Sequence, residues 1–162
     1  MAKLTDVKKI LNGLIADLQS QKELNKLGLA GIRKIKDRTR KGIDVDGSAF
    51  QPYSTNYAEK RASFGLPTSI VNLEFNDIDG MLSKVDHVVA NDFKSVAIDI
   101  LDPRKKRLAS YHDELGVGKA GQNIRHFWGL SSEDEKDIAE IVAADMTRLL
   151  NALTDKFSSP GV

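Results

Sequence analysis

The apolar residues of this chain follow two different periods, and the points where the period changes constrain the fold. Near the C-terminus Ile138, Ile141, Val142, Met146, Leu149, Leu150 and Leu153 return at steps of three and four. That spacing places side chains on one face of a helix. Ser131 precedes the run as an N-cap, with Asp134 at the third helical position. Glu133 and Glu135 suit the positive end of such a helix, and SSPGV ends it. The same period opens the chain: Leu4, Val7, Leu11, Leu14 and Leu18, with Ile10 and Ile15 widening the stripe, then Leu24, Leu27, Ile32 and Ile35. Thr5 or Asp6 can cap this segment and Gly42 ends it. Gly28 and Gly31 lie inside it, and each costs a helix about 1 kcal/mol relative to alanine. The pattern predicts one long helix, or two with a bend near Gly28. Unbroken, it would run about 50 Å at 1.5 Å per residue, long enough that part of it would serve a neighbour.

Between the two helices the period drops to two in one place. Val96, Ile98 and Ile100 alternate with Ser95, Ala97 and Asp99, and the runs KVDHVVA and SVAIDIL flank Asn91-Asp92, a turn pair. A β-hairpin is expected over 84–101. Residues 42–70 are dense in Gly, Asp, Ser and Pro and read as irregular, with a short helix over 56–63. Residues 71–83 read as a short helix or a strand edge. Residues 102–126 read as loop, with a short strand at 108–111. Within that loop, PRKKR is a solvated turn or mobile basic loop, and GVGKAGQN is flexible by composition. The expected fold is α+β, with a long N-terminal helix and a C-terminal helix packed on a small antiparallel sheet with long loops. It forms one structural domain over 1–162: a helical arm (1–41), a mixed and looped middle (42–126) and the C-terminal helix (131–155).

The 162 residues fit one ordinary domain, and 41% apolar content is enough for a core. No apolar run approaches the roughly 20 residues of a spanning helix. The first residues lack a small-residue cleavage site, so no secretory signal is expected. The absence of cysteine removes disulfides, thiolate metal sites and cysteine nucleophiles, and fits a reducing cytoplasm. The net charge of +1 hides a polarity. Residues 1–41 carry eleven Lys/Arg against four Asp/Glu, a net of +7, whereas residues 131–162 carry three against seven, a net of −4. Such ends can attract between neighbouring subunits, or they can be two solvated helix faces of opposite sign.

Catalytic patterns fit poorly. His112, Asp113 and His126 are the only plausible metal set, yet no HExxH or HxxxH spacing supports them, and ordinary surface or core histidines are the simpler reading. GVGKAG lacks two P-loop requirements: Asp113 stands where the first glycine belongs, and Ala120 replaces Ser/Thr. DVDGSAF fails as a calcium loop, because Gly42 and Tyr53 would fill the first and twelfth positions. Asp44 and Asp46 are better read as turn residues whose carboxylates bond nearby N–H groups. The basic run Arg33, Lys34, Lys36, Arg38, Arg40 and Lys41 could neutralise phosphates, but without interleaved aromatics it reads first as a solvated helix face.

Three segments, taken in order, resemble the phage virion morphogenesis family, which includes tail-completion proteins of Mu-like and lambda-like phages. Asp44-Val45-Asp46-Gly47-Ser48-Ala49-Phe50-Gln51-Pro52-Tyr53-Ser54, with Tyr57 and Lys60, is similar to the family's D-x-DG-x-x-W-x-P-L-S…Y…K pattern. Tyr111-His112 with Leu115-Gly116 is similar to its Y-A-x-x-H-x-x-G segment, and Arg125-His126-Phe127-Trp128-Gly129-Leu130-Ser131 with Glu133-Asp134 to R-P-F-L-G-L-S-x-E-D. Phe50 stands where the family carries Trp, Tyr53 where Leu is common, and LEFNDIDGML matches only loosely.

The resemblance implies a non-catalytic structural subunit of a tailed-phage virion, without cofactor or metal. It would complete the tail or join head to tail at the neck, as a ring homo-oligomer and often a hexamer. It would assemble in the bacterial host cytoplasm, beside other neck, tail and connector proteins and away from membranes, with packaged DNA passing through the channel. Arg33, Lys34 and Lys36 of one copy are expected to meet Glu133, Glu135 and Asp137 of the next. Phe50, Phe127, Trp128 and Ser131 are the expected structural anchors. Arg38, Arg40, Lys41, Arg104, Lys105, Lys106 and Arg107 are the candidate DNA-facing residues. Two alternatives are a DNA-binding accessory protein using residues 33–41 and a metal-dependent hydrolase using His112 and His126.

Overall fold

The N-terminal helical pattern is broken at Ser20 rather than bent at Gly28. The computed structural model describes residues 9, 11–13, 15, 16, 20–73, 80–117 and 123–158. Ser20 is extended (φ −71°, ψ 148°), and its hydroxyl accepts the Glu23 N–H at 3.3 Å. Helix α1 (Gln21–Arg40) follows and stops at Gly42, whose φ of +74° suits a residue without Cβ. The described residues between 9 and 16 are also helical. The caps at Thr5 or Asp6, the stretches 74–79 and 118–122, and the end beyond 158 lie outside the described residues.

Gly28 and Gly31 have a packing role. Strands β1 (Val85–Val89) and β2 (Val96–Ile100) form the expected antiparallel hairpin, with Val85 opposite Ile100 and Val89 opposite Val96. The hairpin lies against α1. A Cβ on Gly28 would stand 2.4 Å from His87 Cδ2, and one on Gly31 2.5 Å from Ile98 Cδ1. One helical turn of bare backbone therefore lets helix and sheet approach closely.

The core fills the space beneath. Ile32 of α1 meets Val85 and Ile100 of the hairpin, Phe50, Val71 and Leu73 of the irregular middle, Met81 and Leu82, Ala109 and Phe127. Helix α2 (Thr55–Ser63) begins one residue before the expected start. Its Arg61 is buried, with the guanidinium over the Tyr53 ring at 5.0 Å and Nε donating to the Pro67 carbonyl at 3.3 Å. The Tyr53 hydroxyl donates to the Asn72 carbonyl at 2.6 Å, which ties the 64–73 connection down.

Residues 103–115 are helical, which corrects the expected loop and the strand at 108–111. Asp102 accepts the N–H groups of Arg104 and Lys105 at 2.8 and 3.0 Å, and Pro103 takes the first helical position, where a missing N–H costs nothing. Helix α3 (Pro103–Ser110) runs on into a wider π-helical turn over Tyr111–Leu115. PRKKR is thus the first turn of a capped helix.

Helix α4 (Ser132–Ser158) lies along α1, the helix that covers the hairpin. Long helices, one antiparallel hairpin and connecting loops make the α+β fold that the two periods predict.

Candidate functional site

The opposite charges of the chain ends meet inside one molecule. Arg38, Lys34 and Lys26 of α1 pair with Asp134, Asp137 and Asp145 of α4, in antiparallel order. Lys34 and Asp137, expected on opposite sides of a subunit interface, are therefore partners within the chain, because the two helices run side by side. Hydrogen bonding by Asp137 raises the Lys34 pKa, and the Lys26 ammonium lowers that of Asp145. Arg33 is exposed and reaches only Asp37 of its own helix, at 3.9 Å. Lys36 is half-buried, and Glu133 and Glu135 are exposed.

The innermost pair is part of a larger node. Arg38 also donates to the carbonyls of Phe127 and Gly129 at 3.0 and 2.8 Å. Gly129 has φ +107° and carries the chain into the Ser131 cap. There Ser131 Oγ accepts the Asp134 N–H at 3.1 Å, and Asp134 accepts the Ser131 N–H at 3.0 Å, a reciprocal capping box. Asp134 therefore closes the helix start and neutralises Arg38 with one carboxylate.

The π-helical turn adds a second acid. The Asp113 carboxylate accepts the N–H groups of both Phe127 and Trp128 at 2.9 Å. The Arg125 N–H donates to the His112 carbonyl at 2.7 Å, while its guanidinium reaches the Gln51 carbonyl at 3.2 Å. Val45 N–H donates to the His126 carbonyl at 2.7 Å. Asp44 accepts from Asp46 and Ser48 N–H at 3.0 and 2.7 Å, as expected of a turn residue. The three segments singled out by their motifs thus converge on one brace beneath the start of α4. Of the expected anchors, Phe50 and Phe127 are buried, Trp128 is half-buried with its ring edge-on to Phe127 at 5.9 Å, and Ser131 caps.

Arg38, a candidate DNA-facing residue, is turned inward instead, with 9% of its side chain exposed. Lys106 holds Asp99 at 2.6 Å, and Lys105 is half-buried. Arg40, Lys41, Arg104 and Arg107 are exposed. His112 is largely buried; desolvation, then the nearby Arg125 charge, push its pKa down to about 4, and its Nδ1 has no hydrogen-bond partner. His126 is exposed, and Asp113 is occupied by two backbone N–H groups. Among the described residues no group of three or more His, Asp or Glu is arranged to hold a metal ion, and no helix is long and apolar enough to cross a membrane. A cleft of about 1000 Å³ runs between α1, the 43–47 turn and the start of α4, lined by Leu29 and Ile141 together with Arg33 and Glu133.

Sequence reasoning gave no structural role to Asp113, Arg125, Arg61 or Asp145. The only available signal was charged residues next to aromatics in YHDEL and IRHFW, which names residues but not partners. Fold and node together define a small α+β protein whose charged motif residues hold its own backbone. No family model, curated protein or solved structure matches the chain.

Proposed function

We propose that this chain is a non-catalytic structural subunit of a tailed-phage particle, acting in tail completion or head–tail joining as an oligomeric ring. The reading starts from the resemblance of residues 44–60, 111–116 and 125–134 to virion morphogenesis proteins. One observation carries it: Asp113, Arg125 and Asp134 of these segments, with Arg38 beside them, are spent on backbone atoms and on one another. Asp113 holds two N–H groups, Arg125 a carbonyl of the first segment, and Arg38 two carbonyls together with Asp134. Residues used this way stiffen a scaffold, and a scaffold that must keep its shape in an assembly needs such stiffness.

The test is genetic and physical. Deleting the coding sequence from a phage that carries it should leave DNA-filled heads and separate tails unjoined in electron micrographs. The purified protein should form a ring by native mass spectrometry. Normal infectious particles from the deletion would remove the reading.

A further inference from the structure

Two exposed faces with apolar side chains remain once the intrachain pairs are assigned, one carrying two arginines and the other one glutamate. The first is on α3 and the π-helical turn. Arg104, Arg107, Leu108, Tyr111 and Leu115 fall on one side, opposite the buried Ala109. Leu108, Tyr111 and Leu115 are 40%, 43% and 60% exposed. Arg104 and Arg107 make no ion pair among the described residues. Exposed Tyr and Leu flanked by Arg is the composition of a protein contact rather than of a solvated face.

The second face is on α4. Three of its aspartates answer α1, but Glu135 does not. Glu135, Ala139, Val142, Met146 and Leu150 recur at steps of three and four along the side turned away from that ladder. Met146 and Leu150 are 43% and 50% exposed. The two faces match in length, about 20 Å over residues 103–115 and about 24 Å over 135–150 at 1.5 Å per residue. Both are open, so neither covers the other within the chain.

We infer that the basic α3 face of one copy docks on the largely apolar outer face of α4, where Glu135 stands, in the next copy. Two different surfaces of one molecule then meet, a heterologous contact that propagates and closes into a ring when the rotation permits. This deepens the ring reading and rests on it. Apolar side chains supply the contact, and Arg104 and Arg107 against Glu135 set its register. A phosphate backbone is the poorer occupant, because exposed Glu114 borders the arginines and Leu108, Tyr111 and Leu115 share their face.

The test uses the full chain. Arg104→Glu with Arg107→Glu should raise the dissociation constant of the assembly by about tenfold or more, read by native mass spectrometry and light scattering. Adding Glu135→Arg should recover part of the loss. Independently, Leu108→Cys with Ala139→Cys, positions that this register brings level when the two helices run parallel, should give disulfide-linked ladders on mild oxidation, since the natural chain has no cysteine. An assembly that keeps its mass in the double glutamate variant and forms no ladders would overturn this surface and leave the ring intact. A wild-type chain that stays monomeric at high concentration would overturn both. Loss of DNA binding in place of assembly would make the face a nucleic-acid surface and overturn the proposal.

Discussion

Arg38 and Asp134, 96 residues apart, form an ion pair in which each side chain is 9% exposed. Removing one partner of such a pair leaves an uncompensated buried charge. Arg38→Ala should therefore destabilise the protein by about 3–5 kcal/mol in urea unfolding. Arg38→Lys should rescue little, because an ammonium cannot serve one carboxylate and two diverging carbonyls together. Replacing both residues, Arg38→Met with Asp134→Leu, should cost less than the single change summed with loss of the Ser131 cap. A single Arg38→Ala variant as stable as wild type would show that the pair is solvated.

The glycines of α1 separate helix propensity from packing. Gly28→Ala should lower the melting temperature although alanine favours helix by about 1 kcal/mol, because the new Cβ meets the His87 ring and its Cβ at 2.4–2.9 Å. Gly31→Ala should cost less, since it meets only the tip of Ile98. Gly13→Ala, with nothing within 4 Å, should be neutral or stabilising. Pairing Gly28→Ala with His87→Ala should recover part of the stability, since the ring contacts go but the Cβ at position 87, 2.9 Å away, remains; differential scanning calorimetry can read this.

Asp113 is the acceptor for two consecutive backbone donors. Asp113→Ala should cost about 1–3 kcal/mol by leaving both N–H groups without their partner. Asp113→Asn, which keeps one carbonyl oxygen, should cost less. Faster hydrogen exchange at Phe127 and Trp128 in the alanine variant, with α1 unchanged, would locate the effect at the node.

Phe127 is fully buried in the core and Trp128 only in part. Phe127→Ala should therefore cost about 3–5 kcal/mol and Trp128→Ala less. Denaturant titration of the two variants checks the order; a larger loss for Trp128 would contradict it.

His112 gives the molecule an acid-side pH dependence. Its pKa lies at about 4 in the folded chain against the ordinary histidine value of 6.5. Between these values the unfolded chain binds the proton and the folded chain does not. Stability therefore falls as pH drops from 6.5 to about 4, and this contribution levels off below 4. The gap amounts to at most about 3–4 kcal/mol. His112→Asn should flatten the melting temperature profile across that window, and an unchanged slope would show that another group is responsible.

The hairpin, the end of α1 at Gly42 and the Ser131–Asp134 cap were legible because each rests on neighbours in sequence. A period of two, a residue that tolerates positive φ, and a serine three residues before its acid are local signals. Helix α3 was misread for a related reason: PRKKR looks like a polar loop until Asp102 and Pro103 are taken together as cap and first turn. The charge imbalance between the chain ends was legible as well, but not its partner. That Lys34 meets Asp137 of its own chain depends on α4 turning back along α1.

What the sequence determined by itself was therefore the inventory of elements and the signs of their faces, since helix period, strand alternation and capping are set by residues within a few positions. What only the tertiary structure decided was which faces are spent inside the chain and which remain open. Asp113 beneath Phe127 and Trp128, Gly28 against His87, and Lys34 beside Asp137 all depend on residues brought together across 14 to 103 positions, a separation over which local propensity carries no information.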